Sequence, residues 1–316
     1  MDTFDKVLTN QKDNFNNLIN NIDKIEVNKL VDLLIKYSKN NIYFAGVGKS
    51  GNLALHLSDV FKSVGLKAFN LNIMNTTHGD LGCVKKDDLI LFFSKSGNTK
   101  EMLDIMDVFE CYKVLVCSNT EAKISKKVNE TFIVHMEEEG DIHFKLIPSN
   151  SIANNVIYFN FVLNLFIEKF GLTLDEYKCN HPSGDIGFKT KKVSDFISND
   201  ILVCDNINMT VKEVMDLLQT NKMGIVFEDE ENNFYGIITT KDILNCANLL
   251  LSKSKDINIP VKEYINKNPF IIEDPNSLIS SKISAIRDYK FFKFIPVIDN
   301  KKYVGIIDNS KILKYL

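Results

Sequence analysis

Several residue types are scarce in this chain of 316 residues, and each shortage excludes a class of protein. There is no tryptophan, and the six cysteines include no Cys-x-x-Cys pair and no histidine at zinc-finger spacing. The cysteines therefore predict reduced, mostly packing thiols rather than a disulfide framework or a zinc site. No apolar run approaches the roughly 18 residues that a membrane-spanning helix needs, so membrane insertion is not expected.

A large excess of positive or negative charge is also missing. The formal net charge is −3 and the pI is about 6.0, so no overall basic field would attract nucleic acid. The N-terminal segment has early acids and no apolar core, which argues against a secretion signal. A hydrophobic fraction of 45% with 25% charged residues is typical of a soluble globular protein, and we expect a cytoplasmic one.

Short apolar strands alternate with helical segments in the first half of the chain. Residues 1–38 have apolar positions at helical spacing and predict one or two amphipathic helices. Runs rich in β-branched and aromatic residues predict strands at 42–45, 68–73, 89–93, 113–117 and 131–134. A long helical run, 151–171, ends at Gly171, where a helix stop is expected. The alternation predicts the α/β class, a doubly wound parallel sheet covered on both faces.

The last third of the chain repeats itself. Residues 210–244 and 280–313 share the order helix, strand, acidic turn, strand with Gly-Ile-Ile, and final helix. One such unit would bury too little core alone, so the repeat predicts a pseudo-symmetric pair. The preceding stretch "NHPSGDIGFKTKKVSDFI" is interpreted as a structured loop that runs into a linker. We therefore divide the chain into segments 1–38, 39–185, 195–250 and 258–316.

Two polar turns each lie between a predicted strand and a predicted helix: "GVGKSG" at 46–51 and "SKSGNT" at 94–99. A helix start presents unpaired N–H groups and the positive end of the helix dipole. A polar turn at this place is therefore suited to bind phosphate. The first turn matches G-x-G-x-x-G, yet Asn70 and Asn72 stand where a dinucleotide site has an acid. Tyr43 stands where a nucleotide P-loop has glycine. Neither of these nucleotide sites is predicted.

The second turn has a simpler alternative, in which Asn98 is the N-cap of the next helix and Glu101 is its capping partner. Capping would not explain Ser94 and Ser96 on either side of Lys95. These hydroxyls follow a strand end, where α/β sheets bind ligands.

Four motifs, in this order, resemble the arabinose-5-phosphate isomerases: "GVGKSG", "THGDLG" at 77–82, "SKSGNTKE" at 94–101 and "NHPSG" at 180–184. "SKSGNT" resembles the Ser-x-Ser-Gly-x-Thr signature of the sugar isomerase (SIS) domain, a doubly wound fold that binds phosphosugars. In this family a tandem pair of cystathionine-β-synthase-type (CBS) modules, of α+β structure, follows the SIS domain. The resemblance implies an aldose–ketose isomerase that interconverts D-ribulose 5-phosphate and D-arabinose 5-phosphate through an enediolate.

The resemblance also implies the site residues. Those that would bind the phosphate or shape its loops are Ser50, Ser94, Ser96, Thr99, Gly48 and Gly97. Those that would act in catalysis are Lys49, His78, Glu101, Glu139 and His181. Lys49 would stabilise charge on the substrate, and which acid or histidine is the base stays open. His56 and His135 lie outside the motifs and are interpreted as structural.

One segment departs from the family pattern, which has a second acid in Glu-Ala-Cys-Pro-Leu-Gly-Leu-Ala-Pro-Thr. The matching stretch here is "EEEGDIHFKLIPSN", 137–150, and alignment on Pro148 puts Gly140 at the place of the acid. Either the loop shifts by one residue and Glu139 takes the role, or the acid is missing. Two alternatives to this isomerase therefore stay open: a phosphosugar sensor without catalysis, and an isomerase of another phosphosugar.

The CBS resemblance implies an adenine-nucleotide site at Thr239 and Asp242. Lys311 replaces the aspartate in the second copy, so at most one such site is expected, and a packing or dimerisation role is an equal alternative. The family implies no metal and no redox cofactor in catalysis. Neighbouring subunits usually complete SIS sites, so we expect a homo-oligomer, a tetramer, in which His181 acts on a neighbour's phosphosugar. No nucleic-acid or membrane partner is expected.

Overall fold

The computed structural model describes residues 2–220, 224–254, 256–289 and 293–313. The chain divides into two compact units, Met1–Asn180 and His181–Leu316. Parts of both predicted repeats, at 221–223 and 290–292, lie outside the described residues.

The first unit is a doubly wound α/β fold. Its helices are α1 (Thr3–Asn20), α2 (Lys24–Lys36), α3 (Lys49–Ser63), α4 (Ile73–Thr76), α5 (Lys100–Ile105), α6 (Asn150–Phe170) and α7 (Leu174–Asn180). Its strands are β1 (Ile42–Gly46), β2 (Ala68–Asn72), β3 (Leu89–Phe93), β4 (Tyr112–Cys117) and β5 (Glu130–Ile133). They form one parallel sheet in the order β2-β1-β3-β4-β5. The predicted α/β class and parallel sheet are confirmed.

Helices bury both faces of this sheet, which is why the central strands are apolar throughout. Every residue of β1 and of β3 is buried. On one face, Phe44 stacks on Phe61 of α3 with ring centroids 5.7 Å apart, and Phe93 lies 5.4 Å from Phe159 of α6. Burial of each such side chain stabilises the fold by about 1.5–3 kcal/mol. The strand ends, which carry the polar turns, are thereby held in place.

The helix boundaries agree in part with those predicted from the sequence. Residues 1–38 form two helices, whose N-caps Asp2 and Asp23 accept hydrogen bonds from following backbone N–H groups. The long helix α6 ends at Gly171, which has φ +73°, as its glycine predicted. Helix α5 is short, because it ends at Ile105 and a 3₁₀ turn follows.

None of the described helices is by itself long and apolar enough to span a membrane. Helices α6 and α7 together have that length and composition, but the chain bends by 117° between them.

The second unit is built from two small sheets. Its helices are α8 (Gly184–Lys189), α9 (Val211–Thr220), α10 (Thr240–Ser252), α11 (Ile283–Asp288) and α12 (Asn309–Leu313). Its strands are β6 (Ile197–Ser198), β7 (Leu202–Cys204), β8 (Gly224–Glu228), β9 (Phe234–Thr239), β10 (Ile272–Glu273), β11 (Phe294–Asp299) and β12 (Lys302–Asp308). The sheet orders are β7-β8-β9 and β10-β11-β12-β6. The order strand, helix, strand, strand, helix therefore occurs twice.

The two repeats exchange short segments at equivalent places. Ser198 of β6 pairs with Ile306 in β12 of the second repeat. Asn266, which precedes the second repeat's strands, pairs with Ile237 in β9 of the first. The stretch interpreted as a loop and linker is also more ordered than expected, since α8 forms there and Phe188 is buried with its ring centroid 6.0 Å from that of Phe196.

Candidate functional site

The two polar turns begin at the same edge of the sheet. Strand β1 lies between β2 and β3, and Gly46 at the end of β1 stands opposite Phe93 at the end of β3. The strand order reverses at this point, and α/β sheets bind ligands at the carboxyl ends of strands where it does so. The register therefore places turns 46–51 and 94–99 side by side where a ligand is expected.

The first turn brings a free lysine to this edge. Gly48 has φ +58°, a conformation that favours glycine, and is the N-cap of α3. A side-chain carbon at Gly46 would lie 2.4 Å from the carbonyl oxygen of Ser50, so strand and helix meet at backbone distance. Lys49 is exposed, and its side chain forms no hydrogen bond or ion pair within the described part of the chain. Its ammonium is available to an anionic ligand.

The second turn is built around a glycine and two bonded hydroxyls. Ser94 is buried; its Oγ lies 2.7 Å from Thr99 Oγ1 and accepts a hydrogen bond of 3.1 Å from the Gly97 N–H. Gly97 has φ +61°, and a side-chain carbon there would lie 2.2 Å from Cβ of Ala122. Ser96 is exposed at the mouth of the turn. The close packing of this turn therefore explains its glycine, and the contact between Ser94 and Thr99 explains two of its hydroxyl residues.

Backbone donors of this turn are also available. The Ser94 N–H donates to the Val116 carbonyl at 3.1 Å and ties the turn to β4. The N–H groups of Ser96 and Thr99 have no hydrogen-bond partner among the described residues. Free N–H groups in an exposed turn form a concavity that binds oxyanions. The turn therefore has the donors that a phosphate group requires.

The capping interpretation of this turn is wrong. Thr99 rather than Asn98 is the N-cap of α5, and it makes no side-chain capping bond. The side chain of Asn98 instead accepts a hydrogen bond of 2.9 Å from the Lys123 N–H. Glu101 is exposed, and its side chain forms no hydrogen bond or ion pair in the part of the chain that the structure describes. Its carboxylate is therefore available for chemistry.

Glu139, by contrast, is enclosed. Its side chain is 0% exposed, and Oε2 accepts hydrogen bonds of 2.9 and 3.0 Å from the N–H groups of Ser149 and Ser151 at the start of α6. Oε1 lies 2.9 Å from the ammonium of Lys95, the residue between the two serines of the second turn. The side chain of Lys95 is 43% exposed. The pair thus joins the second turn to the long helix.

The Glu139 carboxylate stays ionised in this position. Burial would raise its pKa, but the Ser149 N–H, the Lys95 ammonium and the Ser151 N–H stabilise the anion and together lower the pKa below its ordinary value. The positive dipole end of α6 acts in the same direction.

The altered loop that follows is ordered by one carboxylate. The two oxygens of Asp141 accept hydrogen bonds from four backbone N–H groups of the loop, those of His143, Phe144, Leu146 and Ile147. Burial would raise the pKa of Asp141, but these N–H groups lower it. The departure from the family pattern is therefore a defined structure of its own.

The predicted histidines lie in different units. His78 is exposed between α4 and β3; its backbone N–H donates to the Asn75 carbonyl at 2.8 Å, and its ring has no partner among the described residues. His181 is the first residue of the second unit. No group of three or more His, Cys, Asp or Glu in the described ranges is arranged to hold a metal ion.

In the second unit, Thr239 and Asp242 form a capping box at the start of α10. Thr239 Oγ1 lies 2.6 Å from Asp242 Oδ2, which also accepts a hydrogen bond of 2.9 Å from the Thr239 N–H. The Asp242 N–H in turn donates to Thr239 Oγ1 at 3.3 Å. Both residues therefore have a structural role, and a nucleotide at this place stays a prediction.

Sequence reasoning missed a set of amides that hold the start of α6. Gln11 Nε2 donates to Asn150 Oδ1 at 2.8 Å, and Asn14 pairs with Asn154, which is fully buried. Asparagines at three-, four- and seven-residue spacing along α1 were the available signal, since these positions share a helix face. The role of Lys95 was missed too, because nothing near it in sequence predicts its partner.

Two domain families match the chain, one in each of its two units. The SIS domain matches residues 35–161, a range that includes both polar turns and Glu139. The CBS domain matches residues 193–248, from before β6 into α10.

Relatives cover nearly the whole chain. An uncharacterized protein of Rickettsia prowazekii (strain Madrid E) is 25% identical over 307 residues, 96% of this chain and 93% of its own length. The arabinose 5-phosphate isomerase KdsD of Francisella tularensis subsp. tularensis is 22% identical over 308 residues, 94% of this chain and 91% of its own length. Among solved structures, an E. coli CFT073 protein in complex with arabinose 5-phosphate matches with a TM-score of 0.52 and 26% identity, over 58% of this chain and 100% of that one. The chain therefore carries an SIS domain followed by a CBS domain, and over most of its length it is similar to an arabinose 5-phosphate isomerase.

Proposed function

We propose that this protein is a phosphosugar isomerase and that it interconverts D-ribulose 5-phosphate and D-arabinose 5-phosphate. The observation that carries the proposal is the pairing of turns 46–51 and 94–99 at the point where the strand order reverses. One turn offers hydroxyls and free N–H groups for a phosphate, and the other offers an unpaired ammonium. The relatives named as arabinose 5-phosphate isomerases, and the solved structure in complex with that sugar phosphate, support the choice of substrate.

The phosphate is the anchor in this proposal. Ser96, Thr99 and the free N–H groups of the second turn hold the phosphate oxygens, while Ser94 fixes the turn from beneath. Anchoring one end of a five-carbon chain orients the other end, which converts binding energy into correct placement of the reacting carbons.

The proton moves between C1 and C2 through an enediolate, and this step needs a base and a stabiliser of the negative oxygen. We assign the stabilising role to Lys49, whose ammonium is exposed and unpaired within the described residues. Glu101 is the candidate base with the best access, because its carboxylate is exposed directly after the phosphate turn. His78 and His181 are the candidates for the proton donor, and His181 would serve a neighbouring subunit in a homotetramer.

A phosphosugar sensor is the second candidate function. It is favoured by one observation, the enclosure of Glu139, because an enzyme that requires this acid at the substrate would be inactive. A sensor would use the same phosphate turn and would bind pentose phosphates without converting them.

Incubation with D-ribulose 5-phosphate in D₂O, followed by NMR, tests the proposal. The isomerase will form arabinose 5-phosphate with deuterium at C2, and Lys49→Ala will slow this by about 100-fold or more. Lys62→Ala is the matched control, because Lys62 lies at the other end of α3 and pairs with Asp59 on the surface. Saturable binding without product or deuterium exchange would instead establish the sensor.

A further inference from the structure

We propose that Lys95 is a phosphate-binding residue of the second turn, and that Glu139 is a positioning residue that acts on the substrate only through Lys95. This inference rests on the proposed function and deepens it. It assigns to Glu139 a role other than that of catalytic acid or base.

Glu139 has no route to a substrate in this structure. A general base must come within hydrogen-bond distance of the proton that it removes. The side chain of Glu139 has no exposed surface, and one carboxylate oxygen is occupied by the first N–H groups of α6. The other oxygen faces Lys95 at 2.9 Å. Lys95 therefore stands between Glu139 and the surface of the turn.

Lys95 itself does reach the surface. An ammonium group has three N–H donors. Glu139 Oε1 forms an ion pair with this ammonium at 2.9 Å but does not meet the geometry of a hydrogen bond to it. The Lys95 side chain is 43% exposed, so its N–H donors are open to a ligand. Lys95 is flanked by Ser94 and Ser96. The hydroxyl and N–H groups that we propose as phosphate donors belong to this same turn. A phosphate on this turn would meet a cation that is already in place.

Both ends of Lys95 are held. Its carbonyl oxygen accepts a hydrogen bond of 2.9 Å from the Ser118 N–H after β4, and its ammonium is held by Glu139. The start of α6, to which Glu139 is bonded, is held in turn by amide side chains of α1 through Asn150 and Asn154. A long side chain fixed before binding loses less freedom when the ligand arrives, which increases affinity.

The experiment compares Lys95→Met, Glu139→Gln and their double variant by two measurements: kcat and KM for D-ribulose 5-phosphate, and calorimetric Kd for the same compound. Lys95→Met removes the charge at similar length, and Glu139→Gln keeps an acceptor for the α6 N–H groups. We expect Lys95→Met to raise KM and Kd by about 10- to 100-fold, the worth of a charge-assisted hydrogen bond, with kcat changed by less than about threefold. Lys95→Arg, which keeps the cation, should restore most of the affinity.

Glu139→Gln should raise KM by a smaller factor, and the double variant should be no worse than Lys95→Met alone, because both changes remove one interaction. Lys145→Met is the matched control, since it breaks an exposed ion pair of 2.7 Å with Glu138 in the adjoining segment. It should change neither constant.

Two results would overturn the inference. A fall in kcat of about 100-fold or more in Glu139→Gln, with KM unchanged, would make Glu139 the acid or base. An unchanged Kd in Lys95→Met would remove Lys95 from the phosphate site, whether or not Glu139→Gln folds. If the wild-type protein binds without turnover, the isomerase fails while the Kd comparison still decides the role of Lys95. If it does not bind this sugar, Kd values for inorganic phosphate by ³¹P NMR decide it.

Discussion

Asn14 of α1 and Asn154 of α6 exchange two hydrogen bonds through their side-chain amides. Asn14 Nδ2 donates to Asn154 Oδ1 at 2.7 Å, and Asn154 Nδ2 donates back to Asn14 Oδ1 at 3.1 Å. Asn154 Nδ2 also reaches the His135 carbonyl at 2.9 Å. The N-terminal helix is thus bonded to the same helix start that holds Glu139.

Removal of one of these amides should destabilise the first unit. In Asn14→Ala, the fully buried Asn154 would lose a partner for each of its polar atoms, at a cost of about 1–3 kcal/mol. We expect the thermal midpoint to fall by about 2–10 °C in a scan of the full chain. Asn164→Ala, which removes only an exposed contact to the Asn160 carbonyl, should leave the midpoint within about 1 °C. Equal midpoints in the two variants would contradict this account.

Gly97→Ala should damage the second turn through two separate effects. The left-handed backbone costs about 1–2 kcal/mol for a residue with a side chain, and the new carbon would collide with Ala122 at 2.2 Å. Chemical denaturation should therefore show a loss of more than about 2 kcal/mol, together with weaker phosphate binding. Adding Ala122→Gly should recover the part due to the collision and leave the backbone part. Gly82→Ala, which meets nothing within 4 Å, is the control.

The stabilising effect of Glu139 should depend on pH in one direction. Its folded pKa is lowered, so as pH falls the unfolded chain takes up the proton first and the contribution of the carboxylate is lost. We expect Glu139→Gln to lower the free energy of unfolding by about 1–3 kcal/mol at pH 7. The difference from wild type should shrink as the pH falls below the ordinary glutamate value of about 4.3. Urea titrations at a series of pH values would measure it, and a difference that grows toward low pH would refute the assignment.

Thr239 should matter to α10 whether or not a nucleotide binds. Thr239→Ala removes the capping hydroxyl and should cost the second unit about 1 kcal/mol, seen as faster hydrogen exchange in the first turn of α10. Thr239→Asn, which supplies another good N-cap, should restore most of the protection. Calorimetry with AMP on the same two variants would separate the cap from a binding role, because a cap alone leaves any AMP affinity unchanged.

The strands and the phosphate turns could be predicted from sequence because their information is local. An unbroken apolar run such as 89–93 predicts a strand that is buried on both faces. The glycine at 97 predicts a left-handed backbone conformation that other residues avoid. The pair Lys95–Glu139 could not be predicted, since it depends on the path of a loop that departs from the family pattern. Asn98 was misjudged because its true partner, the Lys123 N–H, comes from another strand's loop. Helix α8 was missed because tertiary burial of Phe188 outweighed a sequence rich in glycine and lysine.

The exchange of segments between the two C-terminal repeats has a consequence for truncation and domain engineering. Ser198 completes the sheet of the second repeat, and Asn266 lies against the sheet of the first. The sheet of the second half takes its edge strand β6 from the first half, so the two should unfold together in a single transition. A chain cut between α10 and β10 would leave β6 without β12 and expose the open edge of β9, and an uncovered strand edge recruits other chains. Aggregation, rather than a smaller folded module, is the expected product.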